Sequence, residues 1–128
     1  MLRIFTLAVL VSGCTTATVP VSTSPAPLDP AAVTVARSTV SQRLRDPMSA
    51  QFRNERAYRT SAGDTIICGE VNARNGFGGY VGFHTFFTRQ RSGVIVAGVL
   101  DRQSELIPRY AEIGCQRAAS GQMMVSEV

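Results

Sequence analysis

The chain has 128 residues, enough for one small domain and not two. Its 13 basic residues outnumber 9 acidic ones for a net charge of +4, and every base is arginine. The absence of lysine excludes Schiff-base and lysine general-base chemistry, and with them a P-loop, which requires Gly-Lys-Ser/Thr.

Met1-Leu2-Arg3 carries one positive charge, and Ile4 to Val11 is an uninterrupted apolar run apart from Thr6. A run of this size fits the core of a secretory signal and falls well short of the ~20 residues that span a bilayer. Val11-Ser12-Gly13-Cys14 follows and resembles a bacterial lipobox. That resemblance implies that the Cys14 thiol takes a diacylglyceryl group and that cleavage leaves Cys14 as the new N-terminus, with a further palmitate-type chain on its amine. One acyl chain holds a protein to a membrane only marginally, at about 10⁴ M⁻¹, whereas two or three hold it permanently. Thr15 stands where an Asp would retain such a protein at the inner membrane. The resemblance therefore implies the outer membrane, facing the periplasm.

Residues 1–13 are thus expected to be a signal peptide, and residues 14–28, rich in Thr, Ser and Pro, a lipidated disordered tether. Asp29-Pro30 starts a helix, with Asp as N-cap and Pro in the first turn. Val33, Ala36, Val40 and Leu44 recur at helical spacing until Asp46-Pro47 stops the element, with a short helical turn through Met48-Ser49-Ala50. Strands are predicted over Gln51–Thr60, Thr65–Arg74, Tyr80–Thr88 and Val94–Leu100. In the second of these, Ile66, Cys68 and Glu70 fall on one face and Ile67, Gly69 and Val71 on the other. Asn75-Gly76 is a type I′ hairpin signal, and Gly78-Gly79 adds a bulge or a longer loop. Ser104–Ala119 is predicted as a helix presenting Leu106, Tyr110, Ile113 and Arg117. Residues 120–128 are expected to be a frayed tail.

With Cys14 assigned to lipid, Cys68 and Cys115 are an even pair in an oxidising compartment and are expected to form a disulfide worth about 4 kcal/mol. The expected fold is a single α+β domain over residues 29–119. Its N-terminal helix packs on a three- or four-stranded antiparallel meander, and the disulfide staples a C-terminal helical segment to it.

Two stretches, Leu44-Arg45-Asp46-Pro47-Met48-Ser49-Ala50-Gln51-Phe52 and Cys68-Gly69-Glu70-Val71-Asn72-Ala73-Arg74-Asn75-Gly76-Phe77-Gly78-Gly79-Tyr80-Val81-Gly82-Phe83, are similar to a group of small proteobacterial envelope proteins. That group carries a DPxSAxF element followed by CGxVNxxNxxGGYxGxxxF. The resemblance spans about a third of the chain and implies an envelope setting without assigning a catalytic residue.

Enzyme signatures are missing. The segment from Gly76 breaks the dinucleotide fingerprint at Val81, and a predicted strand follows it instead of a helix. His84 has no Cys, Ser or carboxylate at triad spacing, Glu70 and Asp101 are the only conceivable carboxylate pair, and two Cys plus one His are too few for zinc. No catalytic residue, metal or other cofactor is expected. A Gly/Asn/aromatic hairpin holds Asn72, Asn75, Phe77, Tyr80, Phe83 and His84, and of these Asn72, Asn75, Tyr80 and His84 form a candidate binding surface for an envelope protein or glycan. The same stretch also reads as pure structure, with Asn75-Gly76 turning the chain and Tyr80 and Phe83 filling the core. Arg37, Arg43, Arg45, Arg53, Arg56 and Arg59 cluster beside only Asp46 and Glu55. In an exported protein such a cluster meets envelope anions and not nucleic acid. The function expected is that of a membrane-anchored lipoprotein with a non-enzymatic binding or structural accessory role. The alternative is an inhibitor of a periplasmic hydrolase such as a lysozyme, ahead of an enzyme acting on cell wall or lipid.

Overall fold

The computed structural model describes residues 13, 16–102 and 108–126. Cys14 and residues 1–12 of the expected signal peptide lie outside them, as do residues 104–107 of the expected C-terminal helix. Among the described residues no helix is long and apolar enough to cross a membrane.

Nine elements follow one another: β1 (Thr18–Ala26), α1 (Pro30–Ser41), a 3₁₀ turn (Pro47–Ser49), β2 (Gln51–Thr60), β3 (Thr65–Asn72), β4 (His84–Arg91), β5 (Val94–Leu100), α2 (Tyr110–Ser120) and β6 (Gln122–Ser126). The strands form one curled antiparallel sheet in the order β5-β4-β3-β2-β1-β6. This overturns the expected helix on a three- or four-stranded meander. The two additional strands come from segments read as tether and tail. β1 occupies most of residues 14–28, and β6 most of residues 120–128.

Neither strand is visible locally because each exists only through the other end of the chain. β1 pairs with β6 from Thr18↔Ser126 to Ser22↔Gln122, then changes partner and pairs with β2 from Thr23↔Thr60 to Ala26↔Ala57. Each half of β1 is therefore paired on one side, so Pro20 and Pro25, which lack an N–H, are tolerated as on an edge strand. Thr23 marks the changeover: its N–H donates to Gly121 O at 2.9 Å and its hydroxyl to Ala118 O at 2.7 Å.

The sheet is covered on both faces. α1 lays Ala32, Ala36 and Val40 against Ala57, Ile67, Val71 and Phe86. α2 brings Ala111 and Ala118 onto the opposite face, against Tyr58, Ile66, Cys68 and Phe87. The alternation within β3 falls as its sequence suggests, Ile66 and Cys68 toward α2 and Ile67 and Val71 toward α1. Both helices are capped by aspartates: Asp29 accepts from Ala32 N at 3.0 Å, and Asp101 accepts from Ala111 N and Glu112 N at 2.8 and 2.9 Å. The face of α2 differs from expectation, since Tyr110 and Ile113 stand exposed. Small residues are needed where a helix must approach a sheet closely; a Cβ on Gly114 would lie 3.1 Å from the Phe87 ring.

Cys68 and Cys115 form a disulfide with Cα atoms 5.9 Å apart and 47 residues apart in sequence, joining β3 to α2. At the end of the sheet holding the β2–β3 turn, Asp64 is wholly buried between two arginines. Arg89 Nη1 donates to Oδ2 at 2.7 Å, and Arg91 donates from Nε to Oδ1 at 2.7 Å and from Nη2 to Oδ2 at 3.1 Å. Burial pushes the Asp64 carboxyl up, but the hydrogen bonds and charges of Arg91 and Arg89 outweigh it and hold the group below the usual carboxylate range. Arg89, 2% exposed, also donates from Nη2 to Ser126 O at 3.4 Å, so β4 reaches the last turn of the curl at β6.

Two outcomes follow for stability. Replacing both Cys68 and Cys115 by Ala should cost about 4 kcal/mol, the loop-closure entropy for 47 residues, as a lowered urea midpoint in the oxidised protein. Asp64→Ala strands Arg89 without its counter-charge and should cost about 3–5 kcal/mol. Because folded Asp64 keeps its charge to lower pH than the unfolded chain, its contribution is complete above about 3.9 and disappears as pH falls through the folded value. Denaturant titrations at successive pH values should show an acid-side loss of stability that is reduced in Asp64→Asn.

Candidate functional site

The end of the sheet opposite the Asp64 turn carries residues 73–83, the connection from β3 to β4. β4 begins at His84 and not at Tyr80, so Tyr80 to Phe83 belong to this loop. No type I′ turn forms at Asn75-Gly76. Positive φ falls instead on Gly78 (81°) and Gly82 (100°), and Asn75 N–H donates to Gly79 O at 2.8 Å. The type I′ reading fails because the Asn75 side chain turns the backbone itself, its Oδ1 accepting from Phe77 N at 2.9 Å and Gly79 N at 3.1 Å. Asn72 Oδ1 accepts from Gly82 N at 3.0 Å and closes the base of the loop.

The two motif stretches meet here. Ser49, in the 3₁₀ turn, is 8% exposed. Its Oγ accepts from Arg74 N at 2.8 Å and donates to Asp46 O at 2.8 Å, while its carbonyl accepts from Tyr80 OH at 3.2 Å. Arg74 lies over the Tyr80 ring, and the Arg45 guanidinium sits where a Cβ on Gly76 would come within 2.8 Å. Arg53 lies over the Phe83 ring at 3.6 Å. Asp46-Pro47-Met48-Ser49 therefore acts as a bracket for the loop, with Ser49 as the joint.

Three of the four candidate binding residues turn out to hold this loop. Asn72, Asn75 and Tyr80 use their polar atoms on it. His84 pairs with Val71 in the register, on the α1 face, and does not line the surface opposite. What the loop presents outward is Phe77, 99% exposed, with Tyr80 and Val81 partly out; on the bracket, Met48 is 95% exposed. Neither Tyr80 nor Phe83 fills the core. Sequence reasoning counts Phe77 among the aromatics of this hairpin but does not single out Met48, and only their position in the fold leaves both in water.

On the α2 face a groove of about 450 Å³ runs over the disulfide, with Asn54, Arg56, Glu70, Thr85, Glu112 and Gln116 along it. Asn54 adopts a left-handed φ of 53° where β2 shifts register between Arg53 and Arg56, and its Nδ2 donates to Glu70 at 2.6 Å. Hydrogen bonds from Arg53 and then Asn54 hold the Glu70 carboxyl below its ordinary range. Glu70 and His84 lie on opposite faces, and the Asp101 carboxylate is taken up capping α2, so the conceivable Glu70–Asp101 pair is not assembled. Among the described residues no group of three or more His, Cys, Asp or Glu gathers.

The arginine cluster is dispersed. Arg37 pairs with Glu55 and Arg43 donates to Gly98 O, both on the α1 face, while Arg53 and Arg56 lie on the other. Because α1 and β2 present their arginines to opposite faces, the sequence cluster does not make one basic face.

No protein-family model, no curated protein and no solved structure matches the chain.

Asn75→Ala should remove both side-chain bonds to the loop and leave the sheet intact. Hydrogen exchange at the Phe77 and Gly79 amides is expected to accelerate about tenfold, with global stability lowered by about 1 kcal/mol or less.

Proposed function

We propose that this protein is a lipid-anchored cell-envelope lipoprotein that acts by binding, with no catalytic step of its own, and that it belongs with the small proteobacterial envelope proteins its two motifs resemble. The observation that carries this reading is the loop at residues 73–83. Its polar side chains hold its own backbone, while Phe77 and Met48 stand fully in water. Exposed apolar side chains on a rigid support mark an interaction site more often than a catalytic one.

The lipobox resemblance supports the anchor, and the fold gives it a direction. Only residues 15–17 separate Cys14 from β1, a reach of about 14 Å when fully extended. Thr18 lies beyond the Asp64 turn, at the end of the sheet away from the loop. A lipid on Cys14 thus holds that end near the outer membrane and points Phe77 into the periplasm. Inhibition of a periplasmic hydrolase is the narrower form of this reading, favoured by the projecting shape of the tip.

Labelled palmitate should enter the wild-type protein in a bacterial host and be lost in Cys14→Ser, which should leave the membrane fraction. A processing inhibitor of the globomycin type should accumulate the longer precursor. Unlabelled wild-type protein, or a labelled Cys14→Ser, would overturn the anchor.

A further inference from the structure

We infer that the loop tip is a docking plug for an acidic protein partner, Phe77 entering an apolar pocket while Arg45 and Arg74 meet carboxylates at its rim. This rests on the binding role proposed above and adds the chemistry of the partner.

Shape supports it first. The tip projects, with Phe77 at 99% exposure, so its complement is concave. A pocket in a folded protein supplies such a surface, whereas glycan strands are themselves gripped in clefts. An aromatic anchor with arginines nearby combines residue types enriched in protein interfaces.

Charge supports it second. Arg45 and Arg74 flank the tip and pair with no carboxylate among the described residues. Arg53, by contrast, is bonded to Glu70. The half-buried Asp46 is the acid of the bracket, so the tip carries a net positive rim. Such a rim selects acidic surfaces and disfavours a second copy of this basic chain.

Rigidity supports it third. Asn72, Asn75, Ser49 and Tyr80 fix the backbone beneath side chains that touch nothing, so little ordering remains to be done on docking. Direction is the last point. The tip lies at the end of the sheet away from Thr18, so the anchor proposed above turns it from the membrane toward periplasmic proteins.

A photocrosslinking amino acid in place of Phe77, introduced into the full-length protein in intact cells, tests this. Phe77 is exposed, so the substitution leaves the fold undisturbed, which circular dichroism checks. The expected result is an adduct with one protein, mapped to an apolar pocket edged by Asp or Glu. The adduct should fall about tenfold or more in the Arg45→Glu, Arg74→Glu variant and return when the mapped acids are changed to Arg. Adducts with lipid, with peptidoglycan or with a second copy of the chain would overturn the proposal. So would adducts scattered over many proteins, an adduct insensitive to charge reversal, or none. Palmitate labelling in the same cells reads the anchor separately. Label lost with the adduct retained removes the anchor alone, and label retained without an adduct removes the plug alone.

Discussion

β3 and β4 are buried on both faces, and the rest of the molecule is arranged around keeping them so. An antiparallel sheet in a chain this short ordinarily leaves one face to water. Here Ile66, Cys68 and Phe87 face one way and Ile67, Val71 and Phe86 the other, so two separate covers are required. α1 provides one from the N-terminal side of the sheet. α2 provides the other, arriving after all the central strands, and it offers mainly alanine and glycine to the contact. So small an apolar area contributes little by itself. The Cys68–Cys115 bond and the Asp101 cap make up the difference by fixing where the helix lies.

The two ends of that sheet are built from different chemistry. At the β6 end Arg89 and Arg91 clasp the buried Asp64, and Arg89 extends the charge network to Ser126 O on β6. At the other, short polar side chains fold residues 73–83 into a loop that exposes its apolar residues. One end is suited to bearing the attachment of the proposed lipid, the other to meeting something else. Asp64 illustrates the constraint on the first end: its carboxylate is tolerable without water only because Arg89 and Arg91 together satisfy both of its oxygens.

Much of the interior was legible in the sequence. The two faces of β3, the Asp29-Pro30 helix start, the bounds of β2 and β5 and the Cys68–Cys115 pair all follow from local chemistry: alternation, capping and the parity of cysteines. The candidate surface was legible in part. Asn72, Asn75 and Tyr80 were identified as important, but as ligand-facing groups, whereas they hold the loop and hand exposure to Phe77 and Met48. The reason is that an Asn side chain bonded to a nearby N–H and one bonded to a partner have the same sequence signature.

By itself, then, the sequence determined the alternation of the central strands, the Asp29 cap of α1, the cysteine pairing and the resemblance to a lipoprotein signal, because each depends on residues close together or on counting alone. Tertiary structure alone decided that β1 and β6 are strands, that the arginines divide between two faces, that Asp64 needs both Arg89 and Arg91, and that Ser49 joins the two motifs. Each of those rests on a contact between segments distant in the chain. β1 shows the physical reason most plainly. Thr18–Ala26 has the composition of a tether, and it becomes a strand because β6 and β2 offer hydrogen-bond partners that lie far from it in the chain and beside it only in the folded protein.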